Sequence, residues 1–178
     1  MSSSIDLFQK VIPALNDWHS AIECYHFHME TEKTTRQTVL KFLERHVKMI
    51  LSINEAGKAP NTVLMHFAIN QGLQLYFGTK RSSAKYAALK RDPKVSFLVI
   101  DEGLDPKCVA SGRGDARELN WEDTKAAYAF FKSANRSKWY MEGEKDLVMF
   151  EVILNSLCWL DGSSGDIKIC DINIALNA

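Results

Sequence analysis

Between Thr79 and Lys94 the chain gathers six basic residues, Lys80, Arg81, Lys85, Lys90, Arg91 and Lys94, against one acid, Asp92. Across the whole sequence 22 basic residues balance 22 acidic ones, so this is a local island. The island falls where an apolar strand pattern, Leu73–Phe77, gives way to a helical one, Ser82 to Lys90. Ser82 or Ser83 would cap that helix, leaving its first N–H groups and its positive dipole end facing outward. Hydroxyls, free amides and cations converging at a helix start suit an anion, and a phosphate best of all. Lys85 sits in the first turn, where a cation opposes the dipole and a bound anion would relieve the conflict. Two other readings fit the same residues. One is a solvated basic helix with an ordinary serine cap; the other is a small nucleic-acid patch helped by Tyr86.

The remaining composition narrows the function classes. A formal charge of zero argues against a whole-protein nucleic-acid binder, whose affinity rests on a large basic excess. With 178 residues, 46% of them hydrophobic, the chain has material for one packed core and is not of the disordered type. The start, Met1 to Lys10, lacks the basic and apolar regions of a secretory signal. No apolar run approaches the roughly 20 residues that span a bilayer. Cys24, Cys108, Cys158 and Cys170 stand far apart without a C-x-x-C pair, so reduced, mostly buried thiols in a cytoplasmic protein are expected.

The elements that must position the island follow from periodicity. Ile5, Phe8, Ile12 and Leu15, then Trp18, Ile22, Tyr25 and Met29, repeat at helical spacing on either side of Pro13, predicting an N-terminal helical arm over 1–33. A helix from Thr34 to His46 carries Val39, Leu40, Leu43 and Val47 as its stripe. From Val47 the period becomes two. A strand to Ile53, a turn at Asn54–Gly57 and a return strand from Asn61 to Ile69 form a hairpin, the return strand apolar on both faces and therefore expected to be covered on both. Strands follow at Leu73–Phe77, Val95–Ile100, Lys107–Leu119, Leu147–Leu154 with Ser156–Leu160, and Ile167–Ile174. Asn120 caps a helix whose buried face carries Trp121, Ala127, Tyr128, Phe130 and Phe131. Gly112-Arg-Gly114 within a strand predicts a bulge or a close backbone approach. Some six strands joined largely by hairpins predict an α+β, mainly β protein: an antiparallel barrel, closed so that no edge is exposed, with flanking helices.

Other residue types offer chemistry. His19, Glu23 and His26 share one helix face and could ligate a metal, but a solvated polar face gives the same pattern, and that plainer reading also covers His28. His66 interrupts an apolar strand, as a hydrogen-bonded core histidine or as a group beside a ligand. His46 follows a helix end, where its partial charge suits the dipole. No side chain stands out as a catalytic acid or base.

The order of these pieces resembles the pyridoxamine 5'-phosphate oxidase-like, FMN-binding split barrels. The shared landmarks are Phe42-Leu-Glu, Met49-Ile-Leu-Ser-Ile53, Gly57-Lys-Ala-Pro60, Leu75-Tyr-Phe-Gly-Thr79, Ser83-x-Lys85, Asp92-Pro-Lys-Val-Ser-Phe97 and Gly112-Arg-Gly-Asp-Ala-Arg117, covering roughly residues 36 to 160. The resemblance implies a six-stranded split barrel over 34–178 with FMN as cofactor. Gly78, Thr79, Ser83 and Lys85 would hold the phosphate, with Lys80 and Arg81 as reinforcements. The flavin ring would lie against Thr62, Val63, Leu64, Met65 and His66, largely on main-chain groups. It further implies a homodimer with the cofactor between protomers, and Trp159 approaching the partner's flavin. The activity implied is an FMN-dependent oxidoreductase passing electrons from a nicotinamide or similar reductant to a small acceptor. A non-catalytic flavin- or haem-binding protein is the alternative, with His66 or His46 as haem ligand. Three departures point away from a true pyridoxine phosphate oxidase: Ala84 stands where an Arg usually precedes the Lys, Val109 replaces a polar residue, and the chain lacks an Arg-x-Leu-x-Pro-like end.

Overall fold

The computed structural model describes residues 35–102, 107–135, 145–172 and 174. The predicted arm over 1–33, with His19, Glu23, His26, His28 and Cys24, lies outside the described residues. Helix α1 covers 35–45 and buries Val39, Leu40, Phe42 and Leu43. Eight strands follow: β1 (Lys48–Ile53), β2 (Asn61–His66), β3 (Ala68–Ile69), β4 (Leu75–Lys80), β5 (Lys94–Ile100), β6 (Cys108–Glu118), β7 (Leu147–Asp161) and β8 (Lys168–Ile172). Helix α2 (Ala84–Arg91) lies between β4 and β5, and α3 (Trp121–Asn135) between β6 and β7. Residues from Thr38 onward form one unit.

The strands make one curled antiparallel sheet in the order β2-β1-β5-β6-β7-β4-β3, with β8 on β7. Its concave side holds a mainly apolar core. Met49, Leu51 and Ile53 of β1, Leu75 and Phe77 of β4, and Val95, Phe97 and Val99 of β5 alternate into it, as the period of two requires. Phe77 and Phe150, opposite each other on β4 and β7, stack at 5.5 Å.

Two expectations need correction. Among the described residues the sheet has eight strands, not six, because the return segment 61–69 breaks at Phe67. Its last two residues then pair with β4 as β3, and β8 adds a strand on β7. Nor does a ladder close the sheet among the described residues. β2 and β3 end the strand order, and α2 packs Ala88 and Leu89 against β1 and β4 near the opening. Nor is β2 covered on both faces among the described residues: Val63 and Met65 turn inward, whereas Leu64, on the outward face, is 66% exposed.

The long strand β7 is a shared spine. On one edge it pairs with β6, and on the other with β4 over Leu147–Val152 and then with β8 over Leu157–Asp161. The β6 ladder slips between Arg113 and Gly114, leaving Asn155 as an extra residue on β7. That bulge shifts the alternation by one: Val148, Phe150, Val152 and Leu154 are buried before it, Leu157 and Trp159 after it. Both flanking glycines are required. A Cβ on Gly112 would meet the Phe97 ring at 2.5 Å and the Ser156 carbonyl at 2.8 Å, and one on Gly114 would strike the Ile153 carbonyl.

Helix α3 starts as its sequence predicts. Asn120 Oδ1 accepts from the Asp123 N–H at 2.9 Å, and its Nδ2 donates to the Asp123 carboxylate at 2.8 Å. Ala127 and Phe131 are buried, Tyr128 and Phe130 half-buried, and the Trp121 side chain is outside the described set. Phe131 packs with Ala68 and Met149 in a second, smaller core on the sheet's convex side. Among the described residues no helix is long and apolar enough to cross a membrane. Cys108, Cys158 and Cys170 carry free thiols, half-buried rather than fully buried.

Candidate functional site

Strand β4 and helix α2 build the site where they meet. The inward alternation of Leu75 and Phe77 brings Thr79 to the same face, so its hydroxyl is buried. A buried hydroxyl needs a partner, and Thr79 Oγ1 lies 3.1 Å from Ser83 Oγ. Ser83 is the N-cap of α2: its Oγ accepts from the Tyr86 N–H at 3.2 Å and lies 2.7 Å from the Lys80 carbonyl, to which it donates. The first turn of α2 holds no acidic residue.

Lys85 occupies that first turn and is half-buried. Its ammonium meets the Met65 thioether, with Nζ 3.2 Å from Sδ. A sulfur is a weak acceptor, so the charge lacks an anionic partner among the described residues, and burial pushes its pKa below the ordinary lysine value. The rest of the basic island behaves differently. Arg81 donates to Glu118 Oε1 at 2.9 Å and to the Tyr86 hydroxyl at 2.7 Å, with its guanidinium 5.1 Å above the Tyr86 ring. Lys90 donates to Glu118 Oε2 at 3.1 Å. These cations and Tyr86 hold the Glu118 carboxyl below its usual range, although burial alone would raise it. Arg81, expected to reinforce the phosphate grip, is therefore committed to Glu118.

The expected residues thus divide. Thr79, Ser83 and Lys85 come together, with Gly78 beside Thr79 on β4 and Lys80 exposed at the strand end. Through Lys85 and Met65 this cluster adjoins β2, whose outer edge pairs with no other strand among the described residues. Thr62, Leu64 and His66 face outward along that strand, and Val63 and Met65 face the core. Burial and then the Lys48 charge lower the pKa of His66, which sits opposite Lys48 on β1. Trp159, expected near a partner's flavin, is only 4% exposed and lies edge-on to Phe42 at 4.8 Å, inside the core. His46 donates from Nδ1 to the Phe42 carbonyl at 2.7 Å, as a residue at a helix end can, and its Nε2 is 3.6 Å from Asp101.

Two residues near the cluster escaped sequence reasoning. Glu118 neutralises part of the island from 28 and 37 residues away. Asp146 accepts from both the N–H and the hydroxyl of Ser82, while its carbonyl accepts from the Arg81 N–H at 2.7 Å. No local signal marks either one, although an island of cations implies that some acid must meet it.

The chain resembles several solved structures. A putative pyridoxamine 5'-phosphate oxidase from Listeria innocua is 17% identical, matching 69% of this chain and 95% of its own with a TM-score of 0.57. A FAD-binding protein from Mesorhizobium loti is also 17% identical, over 67% of this chain and 88% of its own, with a TM-score of 0.55. A heme binding protein from Mycobacterium smegmatis is 14% identical, over 74% of this chain and 55% of its own, with a TM-score of 0.59. No curated protein matches the chain in sequence. The family model for pyridoxamine 5'-phosphate oxidase matches residues 35–155, from α1 through the Asn155 bulge and across the Thr79, Ser83 and Lys85 positions, and the chain belongs to that family.

Proposed function

We propose that the protein is an FMN-binding oxidoreductase, passing electrons from a nicotinamide or similar reductant to a small acceptor. The observation that carries this reading is Lys85: a half-buried ammonium facing a thioether, two positions after the Ser83 cap whose hydroxyl meets that of Thr79. Such a charge costs free energy unless an anion meets it, and a phosphate ester supplies that anion, with the Thr79 and Ser83 hydroxyls turning to it in exchange for the Thr79–Ser83 and Ser83–Lys80 contacts they make here. The adjacent open edge of β2 fits the other end of the cofactor. Its main-chain groups can read the polar rim of a flavin ring, with Leu64 and half-buried Val63 supplying apolar surface beside it. When bound, FMN would supply the two-electron chemistry. The chain's own residues fix the phosphate, orient the ring along β2 and exclude water from one side of it.

The active form is proposed to be a cytoplasmic homodimer with the cofactor in a groove between protomers. Leu64, Ile50 and Leu98 lie side by side across β2, β1 and β5 on the convex face, and Ile100 and Ile169 are exposed on β5 and β8. An apolar row of this kind, half-buried at Ile50 and Leu98 and exposed at Leu64, supports burial against a second copy. Sedimentation should report a dimer that Leu64→Asp converts to monomer; a wild-type monomer would remove this part of the proposal.

The deciding experiment is the absorption spectrum of the purified protein, followed by FMN titration and addition of reduced nicotinamide. A flavin band that bleaches with the reductant supports the oxidoreductase. Bound flavin that no reductant bleaches would leave a binding protein. A haem band would favour the reading suggested by the heme-binding structural neighbour, and failure to take up FMN would overturn the proposal.

A further inference from the structure

Opposite the phosphate-side cluster, on the outward face of β4, lies a cavity of about 370 Å³ between α3 and the sheet, within the range of small-molecule sites. We propose that this cavity is a second binding site, for a small primary amine with an apolar body. The inference does not rest on the flavin reading.

At the cavity's base is Glu151, whose side chain is only 3% exposed although it belongs to the otherwise apolar run from Val148 to Leu154. It points outward because β7 alternates, with Phe150 and Val152 turned into the main core. Gln74 Nε2 donates to Glu151 Oε1 and Arg117 Nη2 to Oε2, both at 2.6 Å. Gln74 Oε1 in turn accepts from Asn70 Nδ2 at 2.7 Å and from the Tyr76 hydroxyl at 3.2 Å. The carboxylate is thereby held rigidly, yet each oxygen keeps a second lone-pair direction. Leu119, Ala126, Ala127 and Phe130 form the apolar wall, the Phe130 ring standing edge-on to Tyr76 at 5.8 Å.

The sign of the charge selects the ligand. Two carboxylates, Glu151 and Asp123, line the space against one guanidinium; water screens the exposed Asp123 and Arg117 side chains alike, which leaves the buried Glu151 as the least screened charge of the three. Tyr76 registers the same field: burial raises its hydroxyl pKa first, Glu151 and Asp123 raise it further, and Arg117 offsets only part. An ammonium group at the free lone pairs of Glu151, with a flat apolar body against Phe130 and Leu119, satisfies both walls. Aromatic faces add a favourable interaction with a cation.

The test uses the full chain and three probes of one shape, benzylamine, benzyl alcohol and benzoate, followed by calorimetry and ligand-observed NMR. Benzylamine should bind with a Kd of about 1 mM, and the neutral and anionic probes roughly 10-fold more weakly or less. Ala126→Leu alters an exposed helix position and fills the cavity; it should abolish benzylamine binding while the circular dichroism spectrum stays unchanged. Asp123→Asn should weaken binding a few-fold, and Glu151→Gln more, provided that variant folds. Lys85→Glu should leave benzylamine binding intact, which separates this site from the phosphate cluster. Benzoate binding as well as benzylamine, undiminished binding to Ala126→Leu, or no binding at about 20 mM would each overturn the proposal.

Discussion

Arg81 and Lys85 are four positions apart in one basic island, yet the fold treats them in opposite ways. Arg81 is exposed, stacked on Tyr86 and paired with Glu118. Lys85 is half-buried and faces a sulfur. Formal charge is therefore a poor guide to available charge. A cation already matched by a carboxylate offers little to a ligand, whereas a partly desolvated one without an anion gains most when an anion arrives.

Substitutions can break that contrast. Lys85→Glu should have the largest effect, lowering FMN affinity by roughly 100-fold or more with the fold retained, because it replaces a charge-assisted hydrogen bond by repulsion. Fluorescence quenching of added FMN measures this, and unchanged affinity would remove Lys85 from the site. Thr79→Val deletes the buried hydroxyl that meets Ser83 and should weaken FMN by about 10-fold.

Alkaline pH should act next. The pKa of Lys85 lies below the ordinary lysine value before ligand binds, and a bound phosphate raises it, so FMN binding takes up protons on the alkaline side. FMN affinity should then fall as pH rises through the depressed value. Without ligand the sign is reversed: the folded state holds its proton less tightly than the unfolded chain, so stability gains as pH rises from that value to the ordinary one. Titrations at several pH values, with and without FMN, would show opposite slopes, and parallel slopes would contradict the assignment.

Smaller effects sharpen the comparison from the other side. Glu118→Gln frees Arg81 and Lys90 from their carboxylate and should tighten FMN by about three-fold at low salt, an advantage lost as salt screens it. Arg81→Ala should change FMN affinity by no more than about two-fold, in keeping with the modest worth of an exposed ion pair. An Arg81→Ala loss as large as that of Lys85→Glu would erase the distinction between the two cations.

Much of this was legible from residue types and spacing. Ser83 as the helix cap, Asn120 at the start of α3, and the Gly112-Arg-Gly114 irregularity follow from local chemistry, because a cap or a bulge involves neighbours in sequence. The convergence of Thr79, Ser83 and Lys85 is local in the same way. What stayed hidden depends on distant partners. Glu118 and Asp146 reach the island only through the ladders β5–β6 and β4–β7. The exposure of Leu64 depends on what packs on the outward face of the sheet at β2, which no periodicity reveals. Glu151 interrupts an apolar strand much as His66 does, and a lone carboxylate in such a run was a signal open to reading. Trp159 differs in kind: its expected place near a partner's flavin came from resemblance alone, and the bulge at Asn155 sets which face of β7 it takes.

The position of β7 has a consequence for how the chain acquires its shape. Strands β1, β2, β5 and β6 can pair as they are made, but β4 finds its long ladder only with residues 147–152, some seventy positions further on. Until that late segment leaves the ribosome, Leu75 and Phe77 have no partner strand on that side, and Thr79 and Ser83 lack the framework that holds them in place. Ligand capture should therefore be among the last competences a nascent chain gains. Pulsed hydrogen exchange would record it as late protection of the β4 amides relative to those of β1.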